Sequence, residues 1–303
     1  MPSIQPEFLK KGDKIILLST ARKITRGELE LAIKIFTDWG LEVVLGKNIF
    51  KEYHQMAGSE KERAEDFQLA IDRKDIKSIV CVRGGYGTVK MIEAINFKPL
   101  VKNPKWLVGY SDVTVLHLLF SQKINLASIQ STMPVSFGSN SKAALESLRN
   151  ALFGKPLHYK INAHNLNRNG KAKGTLVGGN LSIIYSLQGT KLEIEPDGKI
   201  LFIEDVDEYL YHVDRMMMNL KLSGKLKKLK GLVVGSFSQM KDNTIPFGKS
   251  AEEIIYDAVK EYKYPVCFDF PAGHLNDNRA LLLNTEARLD VNKYTYLAFG
   301  NLN

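Results

Sequence analysis

Residues 78–87 read SIVCVRGGYG, and residues 106–120 read WLVGYSDVTVLHLLF. Each couples a short apolar run to a tight glycine-bearing loop, and in the second the loop gives way at once to an apolar helical stretch. A short apolar run bounded by glycine reads as a buried strand, and a strand leading directly into a helix is half of a strand–helix–strand unit. Upstream, KIILLS, GELELAIKIFTDWG, LEVVLG and SEKERAEDFQLAID alternate short apolar segments with longer amphipathic ones. Leu29, Ile33 and Phe36 recur at helical spacing, with Gly40 placed as a helix stop. Residues 1–150 are therefore expected to form an α/β domain, a doubly wound parallel sheet with helices on its faces. Such sheets gather ligands at the carboxyl ends of their strands. That geometry singles out two loops, Arg83-Gly84-Gly85-Tyr86-Gly87 and Gly109-Tyr110-Ser111-Asp112.

From 151 to 173 the chain turns polar without clear periodicity, FGKPLHYKINAHNLNRNGKAK falling in this stretch, and reads as a linker. Residues 174–303 then carry more strands than helices. GKILFIEDV, GLVVGSF, PVCFDFP and ARLDVN are strand-like, and EYLYHVDRMMMNLKLSG and SAEEIIYDAVKEY are helix-like. A β-rich second domain of swivelling type is expected.

At 303 residues and 44% hydrophobic content, the chain is long enough for one large core or two ordinary ones. The apolar run near the N-terminus, residues 15–18, is too short for a signal-peptide core or a membrane span, so a cytoplasmic protein with no membrane partner is expected. Cys81 and Cys267 sit in apolar strand-like runs with no metal-ligand spacing and read as core residues in a reducing compartment. The formal charge is +9, yet the only dense basic cluster is Lys221, Lys225, Lys227, Lys228 and Lys230. No aromatic residues interleave with it, so a solvated face is expected rather than a nucleic-acid partner.

Ser111 lies in a turn between a buried strand and a helix, where its hydroxyl is presented beside N–H groups able to stabilise an oxyanion. G-x-S-x-G is incomplete here, because Val113 stands at the last glycine position. RGGYG lacks the spacing of a dinucleotide fingerprint and the lysine of a phosphate loop, but its glycines allow backbone N–H groups to approach a ligand closely. A serine nucleophile needs a base, and six histidines are available: His54, His117, His158, His164, His212 and His274. His117 falls on another face of the serine's own helix, and His158 and His164 fall in the linker. His54 and His212 have aromatic or acidic neighbours. His274 follows the apolar residues 266–270 and the turn Pro271-Ala272-Gly273, a strand-end loop of the kind that delivers catalytic groups. An orienting carboxylate is offered by Glu204, which continues the apolar ILFI run, while Asp205, Asp207 and Glu208 remain open alternatives.

These features resemble the LD-carboxypeptidase family of serine peptidases over nearly the whole chain. The matching blocks are AGSEKERAEDF (57–67), RGGYG (83–87), VGYSDVT (108–114), GTLVGGNLS (174–182), LFIEDVDEYLYHVDRMMMNL (201–220) and FPAGH (270–274), in the family's order. The resemblance implies a catalytic triad of Ser111, Glu204 and His274. It also implies an oxyanion hole from the backbone N–H groups of Gly85 and Asp112, with no metal or cofactor. It further implies a homodimer, a site between the two domains, and cleavage of the L,D bond before the terminal D-alanine of a murein tetrapeptide. Two other functions fit the same pattern: hydrolysis of peptide- or aminoacyl-nucleotide conjugates, as in the microcin-immunity branch, and murein-peptide binding without catalysis. Gln130-Ser131-Thr132-Met133-Pro134 replaces a His-Gly-Pro-Met segment common in the family, and Asn284 stands where glycine is frequent.

Overall fold

The computed structural model describes residues 3–300. Two compact units emerge: residues up to Lys155 together with Asn276–Leu283, and Pro156–Leu275 together with residues from Asn284 on.

The first unit begins β1 (Lys14–Leu18), α1 (Arg26–Asp38), β2 (Glu42–Leu45), α2 (Glu60–Asp72) and β3 (Ile76–Cys81). It continues through α3 (Thr88–Met91), α4 (Pro99–Lys102), β4 (Trp106–Gly109), α5 (Thr114–Leu119), β5 (Ser128–Gln130) and α6 (Lys142–Leu152). Five parallel strands lie in the order β5-β4-β3-β1-β2. The direction of winding reverses between β1 and β3, which is where such a sheet opens a crevice for ligands. Ile15–Leu18 and Ile79–Cys81 are fully buried. Each such aliphatic side chain contributes about 1.5–3 kcal/mol when removed from water. Helix starts are written locally: Thr25 with Glu28, and Ser59 with Glu62, form reciprocal capping boxes that satisfy the first N–H groups of α1 and α2. Gly40, at φ +87°, follows the Trp39 cap of α1.

The second unit holds β6 (Leu157–Asn162), β7 (Gly170–Asn180), α7 (Leu181–Ser186), β8 (Ile200–Val206), α8 (Leu210–Leu222), β9 (Gly231–Ser238), α9 (Ala251–Val259) and β10 (Val266–Cys267). After β11 (Leu281–Leu283), which belongs to the first unit, come β12 (Thr285–Val291) and β13 (Tyr294–Phe299). The seven strands of the second sheet run β10-β9-β8-β7-β12-β13-β6, parallel at the β10 end and antiparallel beyond β7. The α/β fold with a β-rich second unit is thus the observed architecture.

Two expectations about chain layout differ from the structure. The stretch 151–173 contains the end of α6, all of β6 and the start of β7. Its polar character comes from strands with one exposed face: Leu157 and Tyr159 are buried while His158 and Lys160 are exposed. The second half is not one continuous unit either, since β11 leaves it to pair antiparallel with β5. Asn284, which returns the chain, has φ +58° and donates its N–H to the Leu176 carbonyl at 2.7 Å. A left-handed residue is needed there, and asparagine is among the few non-glycine residues that adopt that conformation readily.

Both cysteines are buried and unpaired, and burial pushes each thiol up to about 12. Within the lysine cluster, Lys221 pairs with Glu261, Lys225 with Glu193 and Glu195, and Lys228 with Asp197. No helix among the described residues is long and apolar enough to cross a membrane.

Candidate active site

In the first unit, β4 ends at Gly109 and Tyr110 remains extended. Ser111 then enters the left-handed region at φ +63°, opening a single 3₁₀ turn, Ser111–Val113, that runs into α5. That conformation costs an L-residue about 1–2 kcal/mol, and a non-glycine residue held there at a strand–helix junction has the backbone form of a nucleophile elbow. Its surroundings hold it in place. The Gly109 carbonyl accepts from the Ser131 N–H at 3.1 Å and from His117 Nε2 at 2.9 Å. Because a carbonyl only accepts, Nε2 carries the imidazole proton, and Nδ1 accepts from the Ser128 hydroxyl at 2.8 Å. Burial pushes His117 down to about 4, so it is neutral at physiological pH. His117 is therefore a fixture of the turn, with both ring nitrogens occupied.

Asp112 binds the turn to the glycine loop. Its Oδ2 accepts from the Thr88 N–H at 2.9 Å, at the start of α3, and the Thr88 hydroxyl donates to Thr20 Oγ1 at 2.9 Å, beyond the end of β1. Burial raises the Asp112 pKa against the pull of these donors. Within the loop, a methyl group placed on Gly84 would sit 3.4 Å from Ser111 Oγ. Gly85 has φ +118°, and a Cβ there would meet Arg22 Cγ at 2.7 Å. Only glycine fits both constraints. Gln130 lies beside Gly109 in the sheet, fully buried, and neither polar atom of its side chain finds a hydrogen-bond partner among the described residues.

In the second unit, Glu204 and His274 come together from positions far apart in sequence. His274 Nδ1 lies 2.6 Å from Glu204 Oε2, and Glu204 is fully buried. Strand parity explains the choice of acid. Successive residues of β8 point to opposite faces, so Asp205 turns away from Glu204. It accepts instead from Asn180 Nδ2 at 2.9 Å and from the Ser182 N–H at 2.8 Å, at the start of α7. Burial, and then the charge of Glu204, push the Asp205 carboxyl up to about 7. Asp207 pairs with Lys241 at 2.8 Å, and Glu208 with His212 at 2.6 Å. The register between β8 and β9 slips opposite Glu204, where Gly235 and Ser236 face a single residue, a bulge of the kind that re-aims a side chain. The His274 loop closes tightly over this point: at Gly273, φ +113°, a Cβ would meet Glu204 Oε2 and Ser236 Oγ, each at 2.7 Å. The Ser238 hydroxyl donates to the His274 carbonyl at 2.8 Å and fixes the loop.

Burial disfavours the His274 imidazolium, but the charge of Glu204 and its hydrogen bond, with Asp205 behind, outweigh it and raise the pKa above the ordinary value. A raised histidine pKa stabilises the fold fully below the unfolded value, about 6.5, and that contribution is lost as pH rises through the folded value. An NMR titration of His274 is expected to give a pKa above about 6.5. In Glu204→Gln the midpoint should move down; an unchanged midpoint would show that Glu204 does not hold the proton on the ring.

The structure thus brings Gly85, Ser111 and Asp112 together in one unit and Glu204 with His274 in the other. Reading the sequence missed three supporting groups. His117 is a lone polar residue within the apolar helical run 115–120, a signal for a buried bonded group, whereas the Asp112 side chain, next to Ser111 in the turn, carries no such signal. Gly235 is the second glycine of a strand otherwise built for packing.

Comparison with known proteins follows the same division. Residues 15–131 match the profile of the LD-carboxypeptidase N-terminal domain, and residues 173–289 that of the LD-carboxypeptidase C-terminal domain. A probable murein peptide carboxypeptidase of Bacillus subtilis is 31% identical over 300 residues, covering 96% of this chain and 93% of that protein. The crystal structure of muramoyltetrapeptide carboxypeptidase from Oxalobacter formigenes superposes with a TM-score of 0.87 at 28% identity, over 95% of this chain and 99% of that one. The microcin C7 self-immunity protein MccF, in complex with glutamyl sulfamoyl guanosine, shares the fold at a TM-score of 0.88 and 21% identity, over 98% of each chain.

Proposed function

The chain belongs to the LD-carboxypeptidase family, and from that membership we propose that it is a serine carboxypeptidase cleaving the L,D bond before the terminal D-alanine of murein tetrapeptides. Ser111 is the nucleophile, His274 the base and Glu204 the acid that orients it. The observation that carries this reading is the 2.6 Å bond between His274 Nδ1 and the buried Glu204 carboxylate. It assigns one ring nitrogen to the acid and so directs the other, Nε2, to proton transfer.

In the proposed reaction Ser111 Oγ attacks the scissile carbonyl as His274 takes its proton, and Glu204 stabilises the imidazolium formed. The oxyanion is received by the backbone N–H groups of Gly85 and Asp112. Support for Gly85 comes from its place in the loop beside Ser111 and from its N–H, which has no partner among the described residues. Collapse of the intermediate returns the proton to the leaving amine of D-alanine, and water then releases the acyl group by the same steps in reverse order. Because only neutral imidazole accepts a proton, activity should rise with pH through the raised His274 value.

The test is product analysis by mass spectrometry on murein tri-, tetra- and pentapeptides, with an aminoacyl sulfamoyl nucleotide in parallel. Loss of one D-alanine from the tetrapeptide alone is expected. Turnover of the nucleotide conjugate with the tetrapeptide untouched would replace this reading by the conjugate hydrolase. Inertness toward every substrate, with no fluorophosphonate labelling of Ser111, would leave a binding protein.

A further inference from the structure

An exopeptidase acting at a carboxyl end must recognise a charge as well as a bond, because the terminal carboxylate distinguishes its substrate from an internal peptide. Two arginines stand by the glycine loop, and the structure separates them. Arg83, inside the loop motif, is engaged: its guanidinium lies 3.4 Å from Glu28 Oε1 and 3.2 Å from the Lys23 carbonyl. Arg22 is exposed, and among the described residues its guanidinium forms no ion pair or hydrogen bond.

Arg22 is nevertheless held in place at its stem. Its Cγ, Cδ and Nε lie 2.7, 2.8 and 3.1 Å from the point where a Gly85 side chain would begin, and its backbone N–H reaches the Gly84 carbonyl at 3.4 Å. Its position in the fold is equally specific. Arg22 follows β1 and the two glycines follow β3, so it stands at the switch point of the sheet, where α/β proteins bind ligands.

Spacing supplies the remaining step. Gly84 faces Ser111 Oγ and Gly85 faces Arg22. Consecutive Cα atoms are about 3.8 Å apart, and in a peptide substrate the scissile carbonyl and the terminal carboxylate are likewise one residue apart. A loop that places the nucleophile beside one glycine and a cation beside the next matches that repeat. A guanidinium suits the task, since its planar fork pairs with a carboxylate through two parallel N–H···O bonds.

We propose that Arg22 is the specificity-determining residue that binds the terminal carboxylate of the peptide substrate. This rests on the carboxypeptidase reading above. It assigns the role to a residue outside the RGGYG motif and leaves Arg83 as the brace that ties the loop to Glu28.

The experiment compares kcat/KM for a murein tetrapeptide with that for the same peptide amidated at its carboxyl end, in wild type, Arg22→Gln, Arg22→Lys and Arg83→Gln. Fluorophosphonate labelling of Ser111 checks that the nucleophile turn is intact in each. Wild type should favour the free acid strongly. In Arg22→Gln the acid-to-amide ratio should fall about 10- to 100-fold, mainly through KM for the acid, the loss expected for a charge-assisted hydrogen-bonded pair. Arg22→Lys should recover part of it, as a point charge without the fork. An undiminished ratio in Arg22→Gln, or a collapse in Arg83→Gln instead, overturns the assignment while leaving the carboxypeptidase reading intact. A wild type that hydrolyses acid and amide equally, or neither, overturns both.

Discussion

Ser111→Ala is expected to lower turnover of the tetrapeptide by roughly 10⁴-fold or more while leaving peptide affinity within a few-fold of wild type. The hydroxyl is the only group removed, and the loop that shapes the turn is held by Asp112, Thr88 and His117, none of which depends on it. Binding by isothermal titration and turnover by product release separate the two quantities. A companion substitution tests the backbone. Ser111 sits at φ +63°, so Ser111→Gly and Ser111→Ala both lose the proposed nucleophile, but glycine is free of the left-handed penalty and should be the more stable by about 1 kcal/mol. Wild-type hydrolysis by Ser111→Ala would end the serine mechanism.

His274→Ala should be nearly as damaging to turnover, and Ser111→Ala combined with His274→Ala hardly worse than either alone, because groups acting as one catalytic unit are strongly non-additive. Two independent roles would instead multiply their losses. The same substitution has a structural signature. It leaves the fully buried Glu204 carboxylate without its 2.6 Å partner, an uncompensated charge worth roughly 3 kcal/mol of destabilisation at neutral pH. Adding Glu204→Gln to His274→Ala should restore much of the stability and none of the activity. Chemical denaturation of the single and double variants at neutral pH would show this, and a double variant no more stable than His274→Ala would argue against a stranded charge.

The parts legible in sequence share a physical cause. β1, β3 and β4 are short apolar runs ended by glycine or polar turns, and local composition is enough to reveal a strand buried on both faces. β6 is a half-exposed strand whose alternation, Leu157 and Tyr159 inward against His158 and Lys160 outward, is too brief to stand out from its polar surroundings, so it reads as linker. Glu204 presents another limit. Four acids stand within five residues, and what separates Glu204 from Asp205 is the face of β8 each occupies together with the bulge opposite. Only the resemblance to known peptidases chose among them beforehand. Asp112 and His117 escaped for a similar reason: their partners, Thr88, Gly109 and Ser128, are set by the sheet rather than by spacing along the chain.

The excursion of β11 has a consequence for how the molecule is made. Since residues 281–283 complete the first sheet by pairing with β5, the N-terminal unit cannot close its edge when its own continuous stretch has emerged from the ribosome. At about 5–20 residues per second, synthesis of the intervening chain leaves β5 an open strand edge for several seconds or longer. During that interval Gln130, a β5 residue facing Leu281 across the ladder, offers backbone hydrogen bonds to any extended segment nearby. A fragment ending at residue 155 should therefore inherit a sticky edge, whereas a circular permutant that supplies Asn276–Leu283 early would be born with it covered.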